Sequence, residues 1–274
     1  MKTFREPNKL QKWCRAQALK GRKIALVPTM GYLHEGHLSL IEAAKRKGAD
    51  EIVVSVFVNP VQFGPKEDYA KYPRDEKADV AKCRATGATA VFLPTPEAMY
   101  FKDHSVYVNE EDLSTGLCGA RRPGHFRGVC TVVAKLFNIV RPDFAVFGQK
   151  DFQQAQVIRR MARDLNFGID IVVAPIVREP TGLARSSRNT YLSDVERERA
   201  LAISKALMSI VPGRAVAAER RRVEKALASS SLKVDYVEFV DAATLKAVKK
   251  VAPGTACLVA AYDGATRLID NRLF

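Results

Sequence analysis

Four short apolar runs punctuate the first two-thirds of the chain: Ile24–Val27, Ile52–Val58, Ala90–Leu93 and Phe144–Phe147. Each is too short for a helix and nearly free of polar residues, which predicts strands covered on both faces in a parallel sheet. A fifth strand is expected at Ile169–Ala174. Helical patterns lie between them. Gly36–Lys47 sets Leu40, Ile41 and Ala44 on one side and stops at Gly48, and Asp75–Thr86 stops at Gly87 in the same way. Val129–Val140 is apolar nearly all round and predicts a buried helix, whereas Asp151–Leu165 is amphipathic. Alternation of strand and helix implies a doubly wound parallel α/β sheet over residues 1–176.

The pattern changes over residues 177–274. Two helical stretches, Ser193–Val211 and Ala215–Ser229, precede short strands at Asp235–Val240, Ala256–Ala261 and Arg267–Asp270. A smaller α+β domain is expected there, joined to the first near Pro175–Pro180. No internal repeat and no low-complexity segment is evident.

Composition narrows the class. The chain has 274 residues, 47% apolar and 27% charged, an ordinary balance for a globular protein able to bury a sizeable core. The five cysteines, Cys14, Cys83, Cys118, Cys130 and Cys257, are odd in number and include no Cys-x-x-Cys, which argues against a disulfide framework and a zinc ribbon. No apolar run reaches the roughly 18 residues of a membrane span, and no secretory leader follows Met1. A cytoplasmic protein, neither secreted nor membrane-bound, is expected. The net charge is +14, but it is spread: residues 1–176 carry 27 basic and 19 acidic side chains, residues 177–274 carry 17 and 11. The densest basic run, Arg220-Arg221-Arg222, is flanked by Glu219 and Glu224, as on a solvated helix face. An even positive field suits a polyanionic small substrate better than a specific nucleic acid.

Candidate chemistry clusters where the strands end, which is where doubly wound sheets bind ligands. After the first strand comes Pro28-Thr29-Met30-Gly31-Tyr32-Leu33-His34-Glu35-Gly36-His37. His34 and His37 open a helix, whose N-terminal N–H groups attract anions. A cap or part of a metal site is the other reading, and the strand-end position with flanking glycines favours phosphate. After the second strand, Asn59 and Gln62 in Val58-Asn59-Pro60-Val61-Gln62-Phe63-Gly64 suit a hydroxyl or carboxylate. Turn chemistry explains Asn59 as well, but Gln62 poorly. Arg122-Pro123-Gly124-His125-Phe126-Arg127-Gly128 either holds phosphates or caps the buried helix. After the fourth strand, Phe147-Gly148-Gln149-Lys150-Asp151-Phe152-Gln153-Gln154 offers a phosphate cation in Lys150 and a ribose acceptor or helix cap in Asp151. Leu183-Ala184-Arg185-Ser186-Ser187-Arg188-Asn189 reads as an anion clamp or a polar surface loop.

Taken together and in order, the HEGH, VNPVQFG, PGHFRGV, FGQKDFQQ and LARSSRN segments resemble the pantothenate synthetase family across residues 24 to 192. The last third resembles it only in length and character. The resemblance implies a Rossmann-like domain of the nucleotidyltransferase superfamily, a C-terminal lid domain and a homodimer. It implies condensation of pantoate with β-alanine at the expense of Mg-ATP through a pantoyl adenylate, releasing AMP and pyrophosphate. Residue by residue, it implies catalytic phosphate contacts at His34, His37, Lys150, Ser186, Ser187 and Arg188. It implies further ATP contacts at Pro28, Met30, Gly148, Asp151, Val177 and Arg185. Pantoate contacts fall on Met30, Asn59, Gln62 and Gln154, and second-step contacts on Arg122 and His125. No protein side chain is assigned to the Mg²⁺. Arg185 stands where the family usually has Met. Two other readings compete: an enzyme of the same fold that stops at nucleotidyl transfer, and a nucleic-acid-binding protein. The glutamines at the acid site speak against the first, and the even spread of charge against the second.

Overall fold

The computed structural model describes every residue of the chain except Lys66. Two compact units are formed. One contains residues 1–148 and 154–174, the other residues 149–153 and 175–274. The sequence divides the chain once, at 176/177; in the structure residues 149–153 group with the second unit.

In the first unit the chain runs β1 (Lys2–Phe4), α1 (Pro7–Ala18), β2 (Ile24–Thr29), α2 (Glu35–Arg46), β3 (Glu51–Val56), α3 (Glu76–Thr86) and β4 (Ala90–Phe92). It continues with the short helices α4 (Pro96–Met99) and α5 (Leu117–Arg121), then α6 (His125–Val140), β5 (Phe144–Gly148), α7 (Phe152–Asp164) and β6 (Asp170–Ala174). The sheet order is β1-β4-β3-β2-β5-β6, with every pairing parallel. Strand order reverses between β2 and β5, so the crevice at their carboxyl ends is the topological switch point. Ala25, Val27, Ile52, Val54, Val91 and Val146 face a core closed by Leu40, Ile41 and Ala44 of α2 and Cys83 of α3. α1 and α6 pack together, and α6 also packs on β2. Burial of both faces is why the strands read as unbroken apolar runs.

All five expected strands of the sheet are present, with ends shifted by up to two residues. The sequence reading assigned nothing before Ile24, where β1 and α1 lie. β1 is three residues long with Lys2 and Thr3 exposed, so it carries no apolar signature. α1 starts on Pro7 and buries only Leu10, Cys14 and Gln17. α6 begins at His125, not Val129, because Gly124 with φ 80° ends the preceding turn there.

The second unit contains α8 (Asp194–Met208), α9 (Val216–Ser229) and an antiparallel sheet β7 (Lys233–Asp241), β8 (Thr255–Asp263), β9 (Thr266–Leu273). Its core joins Ile203 and Leu207 of α8, Val223 and Leu227 of α9, and Phe239, Val259 and Leu268 of the sheet. Ser193 caps α8 in a reciprocal box with Glu196. No helix among the described residues is long and apolar enough to cross a membrane.

Candidate active site

The turn after β2 is built around an acid that the sequence reading missed. Asp79 of α3 accepts the N–H of Tyr32 at 2.8 Å and of Leu33 at 2.7 Å. Lys82, one turn on, donates to Leu33 O at 2.6 Å. Gly31 has φ +83°, and a Cβ there would lie 2.9 Å from Asp79 Oδ2 and from Val56 Cγ1, so only glycine fits. Burial pushes the Asp79 carboxyl above its usual range, against the two N–H bonds that favour its anion.

This clamp delivers His34 to the N-cap of α2. His34 Nδ1 accepts from Gly36 N–H at 3.1 Å, and His37 Nδ1 accepts from His34 N–H at 3.3 Å. The rings lie 4.1 Å apart between centroids. Because both Nδ1 atoms are acceptors, a neutral ring carries its hydrogen on Nε2. Capping and phosphate binding are therefore compatible: one nitrogen of each ring caps the helix and the other is a donor. Pro28 is still within β2, opposite Ser55 of β3.

Gln62 ends the short turn Pro60–Gln62 and is buried. Its Oε1 accepts from Asn59 Nδ2 at 3.0 Å, and its Nε2 lies 3.1 Å from Met30 Sδ. Asn59 also donates to Gly128 O at 3.1 Å and accepts from the Tyr100 hydroxyl at 2.7 Å. Its polar atoms are thus engaged inside the protein, where Asn59 supports Gln62. Gly128 makes this possible. A Cβ there would come within 2.5 Å of Val61 O and 2.6 Å of Gln62 N, so glycine lets α6 meet the turn's backbone.

The third motif reaches the same residue. His125 Nδ1 is 3.0 Å from Gln62 O, and Arg122 Nη1 is 3.1 Å from His125 Nε2. Arginine only donates, so His125 accepts at Nε2 and donates from Nδ1 to the Gln62 carbonyl. Arg122 forms a two-pronged pair with Glu67, at 2.8 and 2.6 Å. Burial opposes ionisation of Glu67, but the Arg122 hydrogen bonds and charge prevail and hold its carboxyl below the usual range. Gln154 is half-buried in the first turn of α7. Gly148 ends β5, and a Cβ there would meet nothing within 4 Å. Neither packing nor backbone conformation requires glycine at 148, which leaves room for a ligand.

In the second unit, backbone contacts do the positioning. Asn271 of β9 donates to Gln149 O at 2.9 Å and Lys150 O at 3.1 Å, and accepts from Gln149 Nε2 at 3.1 Å. Lys150 Nζ lies 3.6 Å from Asp151 Oδ2. Next to Asn271, Asp270 takes Arg178 in a two-pronged pair at 2.6 and 3.0 Å.

The Leu183–Asn189 segment, expected as a loop, is one leg of a tight hairpin followed by a 3₁₀ turn. Arg178 bridges Ala184, and Arg185 N–H donates to Val177 O at 2.9 Å. Ser186 Oγ caps the Ser187–Tyr191 turn by accepting from Arg188 N–H at 3.2 Å. Ser187 is buried. The Arg185 guanidinium lies 3.6 Å from Glu179, which also holds Arg197 at 3.0 Å and Asn189 at 3.1 Å.

A parallel sheet whose switch-point strand ends carry anion-binding chemistry is the framework of a nucleotide-using enzyme. The model of the pantoate–β-alanine ligase family matches residues 2–273. A pantothenate synthetase from Myxococcus xanthus is 54% identical over 94% of this chain and 91% of its own length. The crystal structure of pantothenate synthetase from Thermus thermophilus superposes with a TM-score of 0.92 at 42% identity, covering 100% of this chain and 99% of its own. A pantoate–β-alanine ligase from Francisella tularensis, solved in complex with β-γ ATP and β-alanine, superposes at 0.84 with 31% identity, covering 100% and 97%. The chain belongs to the pantoate–β-alanine ligase family. The match extends through the last third, where the sequence offered no motif.

Proposed function

We propose that the chain joins pantoate to β-alanine in two steps, through a pantoyl adenylate built from Mg-ATP. The family fixes the overall reaction, ATP-dependent ligation of the acid and the amine to pantothenate. In the first step a pantoate carboxylate oxygen attacks the α-phosphate, and pyrophosphate leaves. In the second the β-alanine amine attacks the acyl carbon, and AMP leaves. Charge develops on phosphate oxygens in the first step, so positioned donors and cations carry most of the catalysis.

The observation that carries this reading is the state of the two imidazoles. Backbone N–H groups occupy both Nδ1 atoms, so each ring is committed to offering Nε2–H, the donor a phosphate oxygen needs. His34, His37, Lys150, Ser186, Ser187 and Arg188 are the phosphate contacts. Gly148, Asp151, Pro28, Met30, Val177 and the backbone of Arg185 receive the nucleoside. Gln62 and Gln154 hold pantoate, with Met30 as apolar wall and Asn59 fixing Gln62. Arg122 and His125 serve the amine step. Mg²⁺ arrives with ATP as part of the substrate. Its oxygen ligands come from the phosphates.

A homodimer is part of the proposal. Phe101 and Val106, on either side of a turn at residues 102–103, are 74% and 81% exposed, an apolar surface suited to a second copy. A cytoplasmic setting is supported by the buried thiols of Cys14, Cys83, Cys130 and Cys257. Measuring AMP release with ATP, pantoate and β-alanine supplied singly, in pairs and together tests the function. Steady AMP formation is expected only with all three. Equal turnover without β-alanine would reduce the protein to an acid-dependent ATPase.

A further inference from the structure

Tyr100 closes the one-turn helix α4. Thr95 Oγ1 accepts the N–H of Ala98 at 3.3 Å, Pro96 starts the turn, and Tyr100 N–H donates to Pro96 O at 2.8 Å. The ring centroid lies 6.4 Å from that of Phe57, and the Lys135 ammonium is 5.6 Å from the ring centre. Its hydroxyl donates to Asn59 Oδ1 at 2.7 Å.

The direction of that bond decides what Gln62 can offer. A carbonyl oxygen only accepts and an amide nitrogen only donates. With Oδ1 taken by Tyr100, the Asn59 amide nitrogen faces Gln62 Oε1 at 3.0 Å and Gly128 O at 3.1 Å. Gln62 therefore spends its oxygen inward and turns its nitrogen toward Met30. Turning Asn59 over would set its oxygen against the Gly128 oxygen. Burial pushes the Tyr100 hydroxyl above its usual range, so it keeps its proton and remains a donor at neutral pH.

We infer that Tyr100 is a positioning and specificity-determining residue for the acid: through Asn59 it makes Gln62 present N–H rather than C=O, so the acid must offer an acceptor oxygen there. The inference rests on the assignment of Gln62 to pantoate. A neutral hydrogen bond contributes enough that its loss raises KM for pantoate by about threefold to tenfold.

The test is steady-state kinetics on Tyr100→Phe, Gln62→Ala and the double variant, with Asn59→Asp as a second probe. Tyr100→Phe should raise KM for pantoate while KM for ATP stays within about twofold. In the Gln62→Ala background it should add less than about twofold, because it acts only through Gln62. Asn59→Asp keeps the acceptor for Tyr100 but has no N–H for Gln62, and should raise KM for pantoate further. An equal effect of Tyr100→Phe in both backgrounds, an equal rise in KM for ATP, or an indifferent Asn59→Asp would overturn the inference. Gln62→Ala leaving KM for pantoate unchanged would overturn the acid-site assignment itself, and the inference with it.

Discussion

The two units hold their functional side chains by different means. In the first, the acid-site groups are held side chain to side chain: Tyr100 holds Asn59, Asn59 holds Gln62, and Glu67 holds Arg122, which reaches His125. In the second, contacts fix the backbone: Asn271 ties the carbonyls of Gln149 and Lys150, and Val177 O takes Arg185 N–H. The difference matches the chemistry assigned to each. A small acid is told from its analogues by a donor at one spot, and a buried amide left unpaired penalises the wrong acid. A polyphosphate in motion along a reaction path is better served by cations on flexible stems above a fixed backbone.

The largest effect should come from the second unit. Lys150→Ala leaves the Asn271 contacts intact, because they are made to backbone oxygens, and removes only the cation. Single-turnover adenylation should slow by roughly 10²–10³ while the melting temperature stays put. A normal rate would move Lys150 out of the phosphate site. Next comes acid selectivity in the first unit. Gln62→Ala should narrow the gap in kcat/KM between pantoate and its dehydroxy analogue by about tenfold. If ATP and pantoate weaken alike, Gln62 is not an acid contact.

How legible this division was depends on sequence distance. Each strand-end motif carries its own glycines and polar residues, so His34, His37, Gln62 and Lys150 could be singled out locally. Their supports could not. Asp79 lies 46 residues from Leu33, Tyr100 41 from Asn59, Glu67 55 from Arg122, and Asn271 122 from Gln149. No periodicity encodes such pairings; they exist only once the strands have aligned. The hydrogen bond from Tyr100 to Asn59 was likewise out of reach of local pattern. Asp270-Asn271 carried no such signal: the strand sequence TRLIDNRL does not alternate, and only the structure shows both residues buried.

Arg185 marks a smaller effect in the second unit. Its guanidinium, where the family usually has Met, lies 3.6 Å from Glu179, which Arg197 and Asn189 also hold. Arg185→Met should leave turnover and KM for ATP within about fivefold, equivalent to roughly 1 kcal/mol. Arg188→Met should cost far more; the reverse order in parallel kinetics would break the alignment of this segment with the family motif.

The smallest effect is a pH dependence in the first unit. The folded state holds the Glu67 carboxyl below its unfolded value of 4.5, so its pairing with Arg122 contributes stability above that pH and loses it as pH falls through the folded value. Thermal denaturation of wild type and Glu67→Gln between about pH 3 and 7 should show a gap that is full near neutrality and shrinks below about pH 4.5. A gap that widens on acidification would mean Arg122 does not stabilise the Glu67 anion.

The account turns on adenylation preceding the amine, with acid and nucleotide reacting alone. Exchange of labelled pyrophosphate into ATP measures that step directly. Mg-ATP and pantoate without β-alanine should support exchange, and omission of pantoate should abolish it. Exchange that appears only when β-alanine is added would contradict the stepwise route and the roles assigned to both units.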